Sequence, residues 1–579
     1  MLPVRSRSGA LRFHRRDFLR AVPVGLAARL CPAEVEATQR TLVGSRAVLA
    51  DASTLIGLEF TDAELALMQT NVARNARRYT ELRRVSIQSD IEPAFSFRPY
   101  SSVGEIAGSA TPNTVLSVTR PASVSVPSRL EALAFQPSTT LSRLIESRTI
   151  TSTDLTRMYL NRLKRYGSRL NCVVTLTENL AEEQAAEADR EIRNGQYRGP
   201  LHGIPWGAKD LFATRGARTT WGARPYERQI IDTDATVVER LREAGAVLVA
   251  KLSMGALARG GTWFGGSTRN PWDPSQSSSG SSAGPAAATA AGLVGFSIGT
   301  ETLGSIISPA AACGVTGLRP TYGRVSRYGA MSLSWTMDKI GPMCRSAEDC
   351  AIVLRAINGP DGNDNTLLDV PFNWDSDADV SQLRVGCLKS LIEGELPSTG
   401  DENADRLARE EQVQNEKALQ VIRKLGIDLK PIELPDLPSR QIGFILTTEA
   451  AAAFDDLTRS DRDRQMMGEP ESSRWPEAFR LHRFVPAVEY IQANRVRTLM
   501  VKALDELFAD IDLFIGSDLA LTNLTGHPEI VMPHGFRSDG TPTNLRFTGK
   551  LFGEADIALL AHAFQEQTHH HLKRPNLRV

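Results

Sequence analysis

The sequence predicts a layered α/β domain, because short apolar runs of strand length alternate with amphipathic runs of helical length over most of its 579 residues. A second observation is that these runs are separated by glycine- and serine-rich loops, densest between residues 270 and 328. Loops set on a scaffold of this kind are where chemistry is usually placed.

Taken in order, the elements begin with His14-Arg15-Arg16-Asp17-Phe18-Leu19-Arg20 and the weakly apolar residues 21–28, which resemble a twin-arginine export signal. Small residues at Val35-Glu36-Ala37 place a cleavage after Ala37, so residues 1–37 read as a signal peptide and a periplasmic or secreted protein is expected, the alternative being a plain basic N-terminus on a cytoplasmic one. Thr61-Asp62-Ala63-Glu64 is a capping box, and Leu65, Met68, Val72, Ala76, Tyr79 and Leu82 follow at helical intervals. Arg74, Arg77, Arg78, Arg83 and Arg84 read as the solvated face of that helix. From 96 to 128 the composition turns to Ser, Pro and Val, as in an extended connection. Residues 38–128 are therefore expected to form a helical extension and linker, and residues 129–579 the main domain.

Within the main domain Leu155, Met158, Tyr159, Leu163 and Tyr166 mark a helix face that stops near Gly167. Residues 171–176 read as a strand, 181–193 as a helix ended by Asn194-Gly195, 237–243 as a helix, 247–250 as a buried strand and 294–298 as another strand. Residues 401–424 read as a charged, exposed helix, and the chain from there to about Arg495 as mostly helical.

Lys+Arg 67 against Asp+Glu 67 gives zero formal net charge, which argues against nucleic acid as the main partner. The apolar part of the leader is too short to span a bilayer. Six cysteines lack the spacing of a zinc site or a disulfide framework and read mainly as core. His569-His570-His571 has no companion ligands in sequence and reads as an exposed helix end.

Three residues could carry chemistry. Lys209 ends the apolar, glycine-punctuated run from Pro200, and burial there would lower its pKa enough to make a base. Ser281, in Ser279-Gly280-Ser281-Ser282-Ala283-Gly284, precedes an alanine-rich run and could equally be the N-cap of that helix. Ser305 closes Gly299-Thr300-Glu301-Thr302-Leu303-Gly304-Ser305; a phosphate loop would need lysine at that place. His202, His527 and His534 lie in glycine- or proline-flanked loops without a Gly-x-Ser-x-Gly elbow, and read as structural.

The segment 203–210, the segment 277–320, and Asn523-Leu524-Thr525-Gly526-His527-Pro528 with Pro533-His534-Gly535-Phe536 together resemble the amidase signature family, over about 141–568. The resemblance implies an α/β/α domain around a large mixed, twisted sheet, and an enzyme that hydrolyses a linear carboxylic amide to acid plus ammonia or amine. It implies Ser305 as nucleophile, Ser281 as a bridging serine after a cis peptide, and Lys209 as base, the two serines standing 24 residues apart (305 − 281). Backbone N–H groups of Thr302, Leu303, Gly304 and Ser305 would form the oxyanion hole. No metal or organic cofactor is implied. The partner expected is a small-molecule amide, with no nucleic acid, no stable membrane insertion, and a monomeric or homodimeric chain. The alternatives are the amidotransferase subunit that works on charged transfer RNA, and a non-catalytic amide-binding member.

Some positions depart from the commonest pattern of the family. Leu303 replaces a glycine and so demands a compatible φ. Ala283 and Pro285 replace glycine and serine, while Glu301 replaces an aspartate and Ile307 an arginine; the last two changes predict that a supporting acid–arginine pair is absent and that packing holds the loop. Trp206, Trp263, Phe264, Met331, Trp335 and the stretch 444–454 are candidate acyl-pocket walls or plain core.

Overall fold

The computed structural model describes residues 127–577 except 394–399 and 467–473, together with 45–55, 59–66, 69, 72, 97–99 and 115–120. The expected export signal and Arg74, Arg77, Arg78, Arg83 and Arg84 lie outside the described residues. The chain divides into two compact units, Met1–Ile87 and Gln88–Val579. In the first, the capping box forms: Glu64 Oε2 accepts from the Thr61 N–H at 2.7 Å and its hydroxyl at 2.8 Å, and the Glu64 N–H donates to Thr61 Oγ1 at 3.4 Å.

The second unit is built on a sheet of eleven strands. In chain order these are β1 (Val173–Leu176), β2 (Pro205–Lys209), β3 (Val247–Leu252), β4 (Phe296–Glu301), β5 (Thr316–Arg319), β6 (Lys339–Cys344), β7 (Val385–Leu388), β8 (Leu429–Ile432), β9 (Leu513–Ile515), β10 (Glu529–Phe536) and β11 (Pro542–Gly549). Their spatial order is β8-β7-β9-β11-β10-β5-β6-β4-β2-β3-β1. β2 is parallel to both β3 and β4, whereas β4–β6, β5–β6, β5–β10 and β10–β11 are antiparallel, so the sheet is mixed. Every residue of β2, β3 and β6 is buried, which is why the run before Lys209 and residues 247–250 read as continuously apolar rather than alternating.

Several boundaries differ from the sequence reading by a few residues, as strand β1 begins at Val173 rather than 171 and β4 spans Phe296–Glu301 rather than 294–298. The helix α1 (Ser152–Leu170) runs through Gly167 and ends at Asn171, whose φ of 50° provides the left-handed cap. Gly167 is small for packing instead: a Cβ there would meet Val173 Cγ2 at 2.8 Å. The stretch from 401 to 495 is mostly helical as read, with one edge strand, β8, added beside β7. This strand follows α2 (Glu402–Lys424), which Asp401 caps by accepting from the N–H groups of Asn403 and Ala404.

The alanine-rich run forms a helix over Ala283–Ala290 in which every residue is buried. It can approach the strands closely because its side chains are small: a Cβ on Gly284 would lie 2.5 Å from the Ser253 backbone nitrogen. Small residues here set the distance between helix and sheet, and hence the position of the turn at 279–282. Among the described residues no helix is long and apolar enough to cross a membrane.

Candidate active site

Parallel neighbours β2 and β4 end side by side, and ligand sites in such sheets lie outside the carboxyl ends of the strands. Lys209 is the last residue of β2 and is fully buried. Its Nζ lies 2.8 Å from Ser281 Oγ, 3.0 Å from Ser282 Oγ, 2.8 Å from Thr300 Oγ1 and 3.3 Å from the Thr300 carbonyl oxygen. Burial lowers its pKa to about 7, although the negative charges of Asp338 and Glu301 pull the other way. A large neutral fraction at neutral pH leaves Nζ with a lone pair, and the hydroxyls of Ser281 and Thr300, each at 2.8 Å, are placed to donate to it.

Ser281 follows a cis Gly280–Ser281 peptide bond. Its hydroxyl meets Lys209, so it is not the cap of the helix that follows; that helix starts after Ser282, with no side-chain cap. Gly280 is sterically required, because a Cβ would come within 1.8 Å of the Gly260 carbonyl oxygen. Gly280→Ala is therefore expected to displace Ser281 and lower turnover by about 10²-fold, the usual consequence of an ångström-scale misplacement of a reacting group. Wild-type turnover by a folded Gly280→Ala protein would contradict this placement.

Ser305 is joined to the serine turn through the backbone, where the Ser282 N–H donates to the Ser305 carbonyl at 3.1 Å. The loop before it turns at Gly304, whose φ is +82°, while Leu303 keeps a negative φ and leaves its side chain 44% exposed. The glycine missing at position 303 thus creates no backbone conflict. Among the described residues, the N–H groups of Thr302, Leu303, Gly304 and Ser305 donate to no protein acceptor. Such unused donors beside a serine suit a developing oxyanion.

The expectation that an acid–arginine pair is absent is overturned. Glu301 Oε1 accepts from Arg319 Nη1 at 2.8 Å and from Asn523 Nδ2 at 2.9 Å, all fully buried. Its Oε2 accepts from the backbone N–H groups of Ile306 at 2.7 Å and Ile307 at 2.9 Å, at the start of the short helix Ile307–Cys313. The arginine comes from the end of β5, eighteen positions along the chain from Glu301, rather than from position 307. Arg319 is also held by Glu529 Oε2 at 3.2 Å and by the His527 carbonyl. Burial opposes ionisation of Glu301, but Arg319 and the donated hydrogen bonds outweigh it and bring the pKa to about 2.

The 523–528 block therefore buttresses the loop that leads to Ser305. His527 stacks on Phe508 with its Nδ1 2.9 Å from Thr525 Oγ1, and burial lowers its pKa to about 3. His534 is likewise buried and held at about 3, and His202 pairs with Glu191 at 3.1 Å. Of the three consecutive histidines, His569 caps the helix Glu554–Thr568 and is exposed as read, whereas His571 is buried. Trp206 stacks on Phe296 in the core, and the described cysteines are free and buried. Sequence reasoning missed Ser282, Thr300 and Arg319 around the site. A lone arginine ending the apolar run Val315-Thr316-Gly317-Leu318 was the available signal for the last.

A sequence model of the family described as Amidase matches residues 154–518. The chain belongs to the amidase signature family. It is 32% identical over 491 residues to the glutamyl-tRNA(Gln) amidotransferase A-subunit of Geobacter sp. (strain M21), covering 76% of this chain and 98% of that protein. It is 35% identical over 483 residues to a protein of the same name from Chloroflexus aggregans, covering 74% of this chain and 95% of the relative. Its fold is similar to that of the peptide amidase from Stenotrophomonas maltophilia, with a TM-score of 0.68 and 30% identity, over 78% of this chain and all of that one. The chain is an amidase-family enzyme of C–N bond chemistry.

Proposed function

We propose that this enzyme hydrolyses a linear carboxylic amide through an acyl-enzyme on Ser305. The observation that carries the reading is the buried Lys209 Nζ at 2.8 Å from Ser281 Oγ. A serine hydroxyl is a weak nucleophile until a base takes its proton. In this reading Ser305 Oγ attacks the carbonyl carbon, its proton passes to Ser281, and the Ser281 proton passes to Lys209 Nζ. The carbonyl oxygen becomes an anion facing the N–H groups of Thr302, Leu303, Gly304 and Ser305. Collapse breaks the C–N bond while Ser281 delivers a proton to the leaving nitrogen and recovers one from Lys209. Water then attacks the ester and gives its proton to the same relay, which returns one to Ser305 Oγ as the C–O bond breaks, releasing the acid and regenerating the serine.

A test is a panel of simple amides, amino-acid amides and peptide amides offered to the purified chain alone and to Ser305→Ala. Turnover by the wild type and none by the variant is expected; equal turnover by both would sink the mechanism. The pH profile follows from Lys209, which acts only when neutral. The rate is expected to rise about tenfold per pH unit below about 7 and to level off above it. A profile flat from pH 5 to 8 would remove lysine as the base.

A second reading, an amidotransferase subunit working on charged transfer RNA, draws support from the relatives of that name. Zero net charge weakens it. Turnover by the isolated chain without other subunits favours the amidase.

A further inference from the structure

One acid beside the site has no part in the proton transfers. Asp338 sits in the turn before β6, with its carboxylate enclosed by neutral donors from two segments. Its Oδ1 accepts from the Thr302 hydroxyl at 2.6 Å, and its Oδ2 accepts from the N–H groups of Leu333 at 2.8 Å and Ser334 at 3.0 Å. Thr302 opens the loop that ends in Ser305. The turn itself is fixed from its other side by Glu449, which accepts from the Ser334 hydroxyl at 2.7 Å, the Thr336 hydroxyl at 2.7 Å and the Tyr490 hydroxyl at 2.7 Å. A single carboxylate thus ties the oxyanion loop to a turn that the helical segments around 449 and 490 hold in place.

The charges around these groups come from several elements. Lys209 is faced by Asp338 from the turn before β6 and by Glu301 from the end of β4. Glu301 is already engaged by Arg319. Burial raises the pKa of Asp338, against the Thr302 hydroxyl, the N–H groups of Ser334 and Leu333 and the charge of Arg327, which all favour its carboxylate; Asp338 acts in turn on Lys339, which also feels Arg319, Glu301 and Arg497. The three groups that donate hydrogen bonds to Asp338 are neutral, so its charge is not spent in a direct ion pair among them.

We propose that Asp338 is a positioning residue with two separable actions: it fixes the oxyanion loop through the Thr302 hydroxyl, and it supplies negative charge opposite Lys209. The proposal rests on the acyl-enzyme reading of Ser305 and Lys209. Its two actions predict different signatures. Loss of the hydroxyl contact loosens the loop at every pH. Loss of the charge makes protonated Lys209 less favourable and moves the acid limb of the rate profile.

The experiment measures the rate of fluorophosphonate labelling from pH 5 to 9 on the full chain, for wild type, Asp338→Asn, Thr302→Val and Ser305→Ala. Asn at 338 keeps the shape and an acceptor but removes the charge; Val at 302 removes the hydroxyl and leaves the charge and the backbone N–H. Asp338→Asn is expected to move the acid limb about one unit to lower pH, the lower end of what a nearby charge does. Thr302→Val is expected to lower the plateau about tenfold with the limb unmoved. A folded Asp338→Asn protein whose limb coincides with that of the wild type overturns the proposal, as does a Thr302→Val protein with an unchanged plateau. If Asp338→Asn does not fold, the Thr302→Val plateau decides alone. Labelling of Ser305→Ala at the wild-type rate would overturn the acyl-enzyme reading itself, and the proposal with it. When Ser305→Ala is silent, a failure in the other two variants belongs to Asp338 only.

Discussion

Lys209→Met is expected to lower kcat by about 10⁴-fold or more while leaving KM within a few-fold of the wild type, because in the proposed mechanism it removes the base and keeps the volume that packs the end of β2. Methionine fills the same space without charge, and the hydroxyls of Ser281, Ser282 and Thr300 that surround Nζ can turn toward one another. Residues that act as one unit are not additive. Combining Lys209→Met with Ser305→Ala should therefore cost little more than either change alone. Independent losses that multiply in the double variant would refute a shared relay.

The same substitution has a stability signature of opposite character. The folded-state pKa of Lys209 is depressed by burial from 10.5 to about 7. Between those values the unfolded chain holds a proton that the folded chain does not, so the wild type gains stability as pH rises through that window. Lys209→Met should lack its share of that rise, while Lys251 and Lys339, also lowered by burial, keep theirs. Comparing denaturation midpoints at pH 7 and pH 9.5 measures the difference; parallel changes in both proteins would mean that Lys209 is charged throughout.

Much of this was legible from short-range signals. The glycine-serine density at 277–305 marked the turn and the loop, and the apolar run before Lys209 marked a buried lysine, because both signals are local and carry their own physical reason. What could not be read was anything set by strand order. Arg319 reaches Glu301 because β5 and β4 both flank β6, an adjacency that sequence spacing does not encode. Asn523 meets the same carboxylate from 222 positions away. Glutamate in place of aspartate at 301 reads as a loss only if position 307 is the sole site for an arginine. The longer acid instead spans two backbone donors and Arg319 at once. The edge strand β8 was hidden for a related reason: Leu429-Lys430-Pro431-Ile432 carries a lysine and a proline, as exposed edges often do, and does not read as a strand.

Glu301→Gln is expected to produce the largest loss of stability of any single change in the site. The amide can satisfy at most part of what the carboxylate accepts, since one of its two ends is a donor facing donors. Arg319 would keep Glu529 at 3.2 Å as its remaining acid, and burial raises the pKa of that residue, so it is a poor substitute counter-charge. Breaking a buried pair by removing one partner typically costs about 3–5 kcal/mol, because the other charge stays buried. The pH dependence fixes the cause. The Glu301 pKa is lowered from 4.5 to about 2 in the folded chain, so its stabilisation is fully present above about pH 4.5 and is lost as pH falls toward 2. The gap between wild type and Glu301→Gln, measured by urea denaturation, should therefore be widest near neutral pH and narrow on acidification. Labelling of Ser305 by a fluorophosphonate should fall with it, since the backbone N–H groups of Ile306 and Ile307 lose the acceptor that holds the loop. An unchanged midpoint at pH 7 would mean that packing alone supports the loop.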